Sequence, residues 1–493
     1  MTAPKKIGLP ACVAFAVGTM VGAGVFVLSG LAVERAGPAA IVSFLLAGVL
    51  VLFSALSFAV VAALAPAGGS GYAYVGVALG ARFGFLTSWA FWLGGVIGVA
   101  FVLNAFGSYL HDFFAHGVPP QAVAVAATVI VAGLNLGPAS LIGRAETVLV
   151  AVKVAILALL IVFALVHVDR AHFTPFTPHG FSSILTTSSL LFVAYLGFNV
   201  VTNLAGDVER PQRTIPLAIL ISMGVVALIY AGVVIALLAG GISSYDEASV
   251  GTAAQHLIGH WGGILIPLGA LISTLSAANA NTLGSSEIMV RLAADRQVPT
   301  AAGRLWHGHP AASVLAGAAI SVILLLTGDI QTIVALGNVA AIAAMILVNA
   351  AAFRAQQLAR PSSARGSSTS PASGGPAGSG PTGGRPTGSG PTGSGPTGSG
   401  PTGSGLTDGG LTDGGPAGGI RLPGGPVLPA LGLVAAAAQL FFISWWETLV
   451  GLVLVVAGLG LHALRGRHLP DPHAVIVDHL SRNDGPAGRA ISR

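Results

Sequence analysis

Val17-Gly18-Thr19-Met20-Val21-Gly22-Ala23-Gly24-Val25-Phe26 sets three glycines within seven residues, in the middle of an apolar stretch. That stretch, residues 10–31, is long enough to cross a bilayer, which takes about 20 apolar residues. Glycine weakens a helix and lets a backbone approach another group closely. The three residues suit either a close packing face between helices or a helix broken at mid-membrane. An unwound backbone at that depth is tolerated only where it is buried in protein or lines a cavity. In a broken helix the free amides opening the second half, with the half-helix dipole behind them, suit a carboxylate.

The rest of the chain agrees with a membrane setting. Of its 493 residues 54% are hydrophobic and 8% charged, whereas a soluble domain carries about 25% charged residues. So few charges cannot cover a water-facing surface. The apolar runs have helix length and lack the alternation of barrel strands. Twelve segments are expected, at 10–31, 39–65, 82–110, 121–136, 147–167, 183–205, 215–238, 264–290, 311–327, 330–353, 427–444 and 447–464. With the N-terminus inside, Arg35 and Arg170 alone fall in outer loops and Lys153 alone falls within a segment. All the other Lys and Arg are then cytoplasmic. This alternation obeys the positive-inside rule and predicts a multi-pass protein of the cell membrane with both termini cytoplasmic. The basic start at Lys5 and Lys6 resembles a signal peptide. The apolar run continues without a convincing processing site, so a retained helix is expected. Cys12 is the single cysteine, which excludes an internal disulfide and a thiolate metal cluster.

Residues 1–357 read as a ten-helix membrane core. Residues 358–426 are rich in Gly, Pro, Ser and Thr, and 386–405 is four copies of Pro-Thr-Gly-Ser-Gly. Such a segment buries too little apolar surface to offset its ordering entropy. A disordered cytoplasmic linker is expected there, then helices eleven and twelve within 427–464 and a polar tail at 465–493. The linker reads either as a tolerated expansion or as a regulatory tether.

Segment six holds Phe192-Val193-Ala194-Tyr195-Leu196-Gly197-Phe198-Asn199, again small and polar residues near mid-depth. Segments one and six are five apart, as two inverted five-helix repeats would have them, each opening with a discontinuous helix. Lys153 is costly in hydrocarbon, about 2.5–3.5 kcal/mol on insertion scales. Burial would lower its pKa and allow reversible protonation; snorkelling to the surface is the alternative. In segment eight Ser273, Ser276, Asn279, Thr282 and Ser286 recur every three or four residues, which reads as one face. That face would line the substrate path and cradle the Lys153 ammonium, or else bond to neighbouring helices. Thr19 is a further hydroxyl partner from helix one. His307 and His309 lack acidic or cysteine companions, so no metal is expected. No nucleophile–base pair, phosphate loop or dinucleotide fingerprint is present. No enzyme activity, cofactor or nucleic-acid partner is expected.

Four stretches in order resemble the amino acid–polyamine–organocation (APC) superfamily of permeases. They are Gly18 to Phe26, Pro66-Ala67-Gly68-Gly69-Ser70-Gly71-Tyr72-Ala73-Tyr74, Ala194 to Phe198 with the loop from Asp207 to Pro216, and residues 272–299. The resemblance implies an all-α integral membrane protein of 12 transmembrane helices. It would be a LeuT-like 5+5 inverted repeat with discontinuous helices 1 and 6 and two C-terminal helices. It also implies an amino acid substrate. The carboxylate would sit on the amides of Ala23, Gly24 and Val25, beside Thr19 and Gly22. The ammonium would meet carbonyls near Val193, Ala194 and Leu196, with Tyr195 and Phe198 as gate or pocket aromatics. Some proton-coupled members carry a helix-five lysine, which implies protons as the coupling ion through Lys153, supported by Ser273, Ser276 and Asn279. Asn199 departs from the acid that many relatives carry, and a neutral amide weakens the case for a strongly cationic cargo. Neutral or weakly polar amino acids are therefore expected, moved by alternating access. An exporter of the methionine or branched-chain type is the alternative within transport, and a transport-dead amino acid sensor is the alternative outside it.

Overall fold

The computed structural model describes residues 6–63, 73–136, 142–198, 201–202, 208–306, 309–358 and 425–465. Asn199, His307, the loop at 66–72, residues 203–207, the repeat-bearing linker at 359–424 and the tail beyond 465 lie outside the described residues. Among the described residues the regular structure is helical, and the β contacts are isolated bridges between Ile7 and Val208 and between Trp306 and His309. Six stretches are long and apolar enough to cross a membrane: Ala23–Val61, Ala81–Phe113, Leu149–Val166, Arg213–Ala239, Gly262–Ala294 and Ile330–Gln357. Six more apolar helices are shorter, and these include the halves that precede the two expected breaks.

Segment one divides as its glycines suggest, into α1 (Leu9–Met20) and α2 (Ala23–Ala36). Then come α3 (Ala40–Ala63), the short α4 (Ala73–Leu79), α5 (Ala81–Phe113), α6 (Pro120–Asn135) and α7 (Ile142–Val166). Segment six opens as α8 (Ser182–Leu190) and tightens into a 3-10 turn at Leu191–Tyr195. The second half of the described core comprises α9 (Pro211–Ala239), α10 (Ser249–Ile258), α11 (Gly262–Ala294), α12 (Ala311–Thr327) and α13 (Ile330–Leu358). α14 (Val427–Leu440) and α15 (Trp445–Arg465) follow the linker and pack on α13.

Two helices, α4 and α10, were not among the expected segments. Both are too short to span a bilayer, which is why a hydropathy reading passes over them. The start of α10 is fixed by Asp246, whose Oδ1 accepts from the Ala248 N–H at 2.9 Å and the Ser249 hydroxyl at 2.8 Å. The Asp246 carbonyl lies directly against Gly30, where any side chain would collide with it. α10 therefore rests on α2. The scaffold is held by similar close approaches. A Cβ at Gly95 or Gly98 of α5 would come within 3.1 Å of Ser285 or Asn281 on α11. Asn349 of α13 donates to the Ser54 hydroxyl of α3 at 2.9 Å, tying these two helices in a buried polar contact.

Candidate binding site at two helix breaks

The first break is abrupt. α1 ends at Met20, the chain turns at Val21 (φ −74, ψ 67) and Gly22 (φ −103, ψ −144), and α2 begins at once. No side chain caps Gly22. The amides of Ala23, Gly24 and Val25 form the first turn of α2, so they have no acceptor within the helix. These are the residues expected to seat a carboxylate.

The second break is gradual. Asn338 of α13 donates from Nδ2 to the Ser189 and Leu190 carbonyls, at 2.9 and 3.0 Å, where α8 ends. The 3-10 turn then closes with the Leu196 N–H on the Val193 carbonyl at 3.1 Å. Leu196 is extended (φ −67, ψ 142), and Gly197 takes φ +129, a conformation that L side chains rarely adopt. This end of a helix presents carbonyls.

The two breaks touch. A Cβ on Gly24 would lie 3.2 Å from the Ala194 Cα, and one on Gly197 would lie 3.1 Å from the Met20 nitrogen. The Thr19 hydroxyl lies 3.2 Å from the Gly197 carbonyl and within 3.0 Å of the Phe15 and Ala16 carbonyls of its own helix. Thr19 thus ties break to break. Sequence reasoning missed Tyr230 of α9. Its hydroxyl is 2.8 Å from the Met20 carbonyl and 2.7 Å from the Ala194 carbonyl, so it joins the ends of both half-helices. Its sequence neighbours are apolar, and a lone tyrosine in a membrane helix reads as packing.

Tyr195 and Phe198 are both fully buried. The Tyr195 hydroxyl donates to the Phe44 carbonyl at 2.9 Å, and Gly48 of α3 makes room for the ring. Phe198 meets Phe58 edge to face, with centroids 6.0 Å apart. Ala23, Gly24, Val25, Ala194, Tyr195 and Phe198 are all buried, while Thr19, Val193 and Leu196 are half-buried.

Lys153 is 3% exposed and therefore faces into the protein. One turn before it, Val150 fills the space beside Gly18 of α1; one turn after it, Ile156 packs against Gly269 of α11. Lys153 thus lies on the face of α7 that packs against helix one and helix eight. Ser273 follows Gly269 by one turn of α11 and precedes Ala277, which faces Gly22. Its hydroxyl is fully buried and finds no hydrogen-bond partner among the described residues.

The expectation of a single polar face on helix eight is corrected. Asn279 accepts from Asn135 of α6 at 2.8 Å, while Thr282 lines a small cavity with Val96, Thr128 and Ser313 of α5, α6 and α12. Three-residue steps in a helix of 3.6 residues per turn each fall back by about 60°. Ser273 and Thr282 therefore point in nearly opposite directions. Ser273 is the member placed beside the first break. Ser276 is half-buried one residue before Ala277, and Ser286 is spent on its own helix through the Leu283 carbonyl at 2.8 Å.

Residues 12–353 match the family model described as amino acid permease. The chain belongs to the amino acid permease family. The permease is 30% identical over 349 residues to the inner membrane transport protein YbaT of Escherichia coli, covering 69% of this chain and 80% of that protein. It is 28% identical to the branched-chain amino acid permease BcaP of Bacillus subtilis, covering 60% of this chain and 67% of the relative. It is 30% identical to the methylthioribose transporter of the same organism, covering 48% and 54%. The permease is accordingly a multi-pass membrane protein of amino acid transport and not an enzyme. Both breaks and Lys153 fall inside the matched region.

Proposed function

We propose that the protein is a secondary active transporter of neutral or weakly polar amino acids, coupled to protons and working by alternating access. The observation that carries this reading is the opposite polarity of two touching breaks. Amides with no acceptor in their own helix open α2, and carbonyls close α8 and α1. A zwitterion carries a carboxylate for the first set and an ammonium for the second. The seat would be Thr19, Gly22, Ala23, Gly24 and Val25 opposite Val193, Ala194, Tyr195, Leu196, Phe198 and Asn199. The fold would comprise twelve spans, as two inverted repeats of five with a C-terminal pair, in the plasma membrane with both termini cytoplasmic. The 358–426 linker would then be a disordered cytoplasmic loop.

Proton coupling is assigned to Lys153. A lysine held against helices one and eight can change their packing when its charge changes, because a buried charge is costly. Ser273, whose buried hydroxyl has no partner among the described residues, stands on the helix-eight side facing the first break, with Ser276 three residues on; Asn279, expected as support, instead bonds to Asn135 of α6. The name of the methylthioribose relative warns that the fold tolerates more than one cargo. The name of the branched-chain relative favours an apolar side chain.

Purified protein in vesicles is expected to accumulate labelled neutral amino acid when the interior is alkaline, and to lose accumulation when a protonophore is added. Lys153→Met is expected to retain exchange and lose its pH dependence. Normal pH dependence in that variant would remove the lysine from the coupling. Tight binding without flux would replace the transporter reading with that of a sensor.

A further inference from the structure

We propose that Tyr230 completes the ammonium seat. Its hydroxyl lies between the Met20 and Ala194 carbonyls, and its oxygen receives an N–H from the substrate ammonium there. This rests on the proposed amino acid cargo and adds a residue from helix seven to the site.

The inference starts from counting hydrogens. The two carbonyls only accept, and they lie 2.8 and 2.7 Å from one oxygen that owns one hydrogen. A phenol cannot serve both fully: the Met20 carbonyl also accepts the Gly22 N–H at 2.7 Å, but the two carbonyls share the phenol's single hydrogen for any further bond. An ammonium brings three N–H groups, enough for both carbonyls and the phenol oxygen together. The carbonyls belong to the ends of different half-helices. Whatever bonds to both therefore feels whether the breaks are together or apart.

The phenol is held for this task. Its ring lies 5.0 Å from that of Phe44 and 5.2 Å from that of Tyr195, and it is fully buried. The Tyr195 hydroxyl, the obvious competitor, is committed to the Phe44 carbonyl at 2.9 Å. Among the described residues Tyr230 reaches both carbonyls from α9, which also packs against α1 and α7.

The test compares an amino acid that the wild type transports with the 2-hydroxy acid bearing the same side chain, which keeps the carboxylate and lacks the ammonium. Vesicles of wild type and Tyr230→Phe are assayed for KM and kcat with both. The expected result is a rise of about tenfold in KM for the amino acid in Tyr230→Phe, the size of one bond to a charged group, with the hydroxy acid unchanged. Tyr109→Phe, at a buried tyrosine outside the seat whose hydroxyl donates to the Phe26 carbonyl at 2.8 Å, is expected to leave the ratio of the two KM values at its wild-type level. Equal losses for both ligands would make Tyr230 a purely structural clamp and overturn the proposal, as would no loss at all. If the wild type moves no amino acid, the cargo assignment itself falls, and this result is distinct from either. Should Tyr230→Phe fail to fold, a fluorinated tyrosine at 230 keeps the shape and weakens the oxygen as an acceptor. An unchanged ratio of the two KM values in that protein would equally overturn the proposal.

Discussion

The two breaks differ in how they are made. The first takes two residues, after which α2 resumes at once, so it presents fresh amides. The second passes through a 3-10 turn, an extended leucine and a glycine at φ +129, so it presents carbonyls and a longer irregular backbone. Each break leaves the last carbonyls of one half-helix without intrahelical donors, and the first also leaves the opening amides of α2 without intrahelical acceptors. A longer interruption needs outside support: Asn338 donates to the second break, and the Tyr230 and Thr19 hydroxyls lie 2.7 and 3.2 Å from its carbonyls. Donors at one break and acceptors at the other follow from which end of a helix each exposes.

The comparison is broken most severely by forcing the breaks apart. Gly24→Leu places a side chain where the Ala194 Cα would already lie 3.2 Å from a Cβ. Overpacking costs about 1–3 kcal/mol in stability, and displacing a site by about 1 Å can cost roughly 100-fold in rate. Transport by Gly24→Leu is therefore expected to fall roughly 100-fold, with folded protein still recovered. Transport within about twofold of wild type would mean that the two breaks do not act as one site. Gly197→Ala comes next. The residue holds φ +129, and its Cβ would press on the Met20 nitrogen and the Thr19 carbonyl carbon at 3.1 Å. Holding a side chain in such a conformation costs about 1–3 kcal/mol, so a loss of roughly tenfold is expected. Gly22→Ala, at negative φ and with 3.6 Å to its nearest neighbour, is expected to lose less. Equal losses at Gly22 and Gly197 would erase the difference between an abrupt and a supported break.

The sequence shows the first break more plainly than it shows what each glycine does. Gly18 makes room for Val150 of α7, Gly22 turns the chain, and Gly24 admits Ala194. Close packing and unwinding are thus both present in one motif, as its composition left open. The second break carries one glycine, and its position five segments after the first was the stronger clue. Lys153 was legible because a charge in an apolar run has few explanations, and its burial favours the inward one. Tyr230 was not legible, because its role depends on two carbonyls, 210 and 36 residues away along the chain, that meet only in the fold. The helix-eight stripe was misread for a simpler reason: steps of three residues drift around a helix, and the polar groups scatter to different neighbours.

The smallest effect separates the supports of the two breaks by charge. The second is braced by the neutral amide of Asn338, the first by the loop before α10, which seats on α2 through the Asp246 carbonyl. Glu247 in that loop has its pKa raised above 4.5, chiefly by burial and further by Asp246, Asp112 and Glu34, against a lowering by its own backbone N–H. A carboxyl with a raised folded pKa holds its proton more tightly when folded. Its contribution to stability is complete below about pH 4.5 and is lost as pH rises through the raised value. Glu247→Gln keeps a neutral side chain throughout. It is expected to raise Tm by about a degree or two at pH 7–8 and to change nothing near pH 4, a modest effect because the group is partly exposed. Thermal unfolding of the purified protein across this range checks it. An equal shift at every pH would mean that packing, and not the carboxylate charge, governs how this loop holds α2; a shift confined to high pH would leave the first break as the one whose support responds to protons from the loop side.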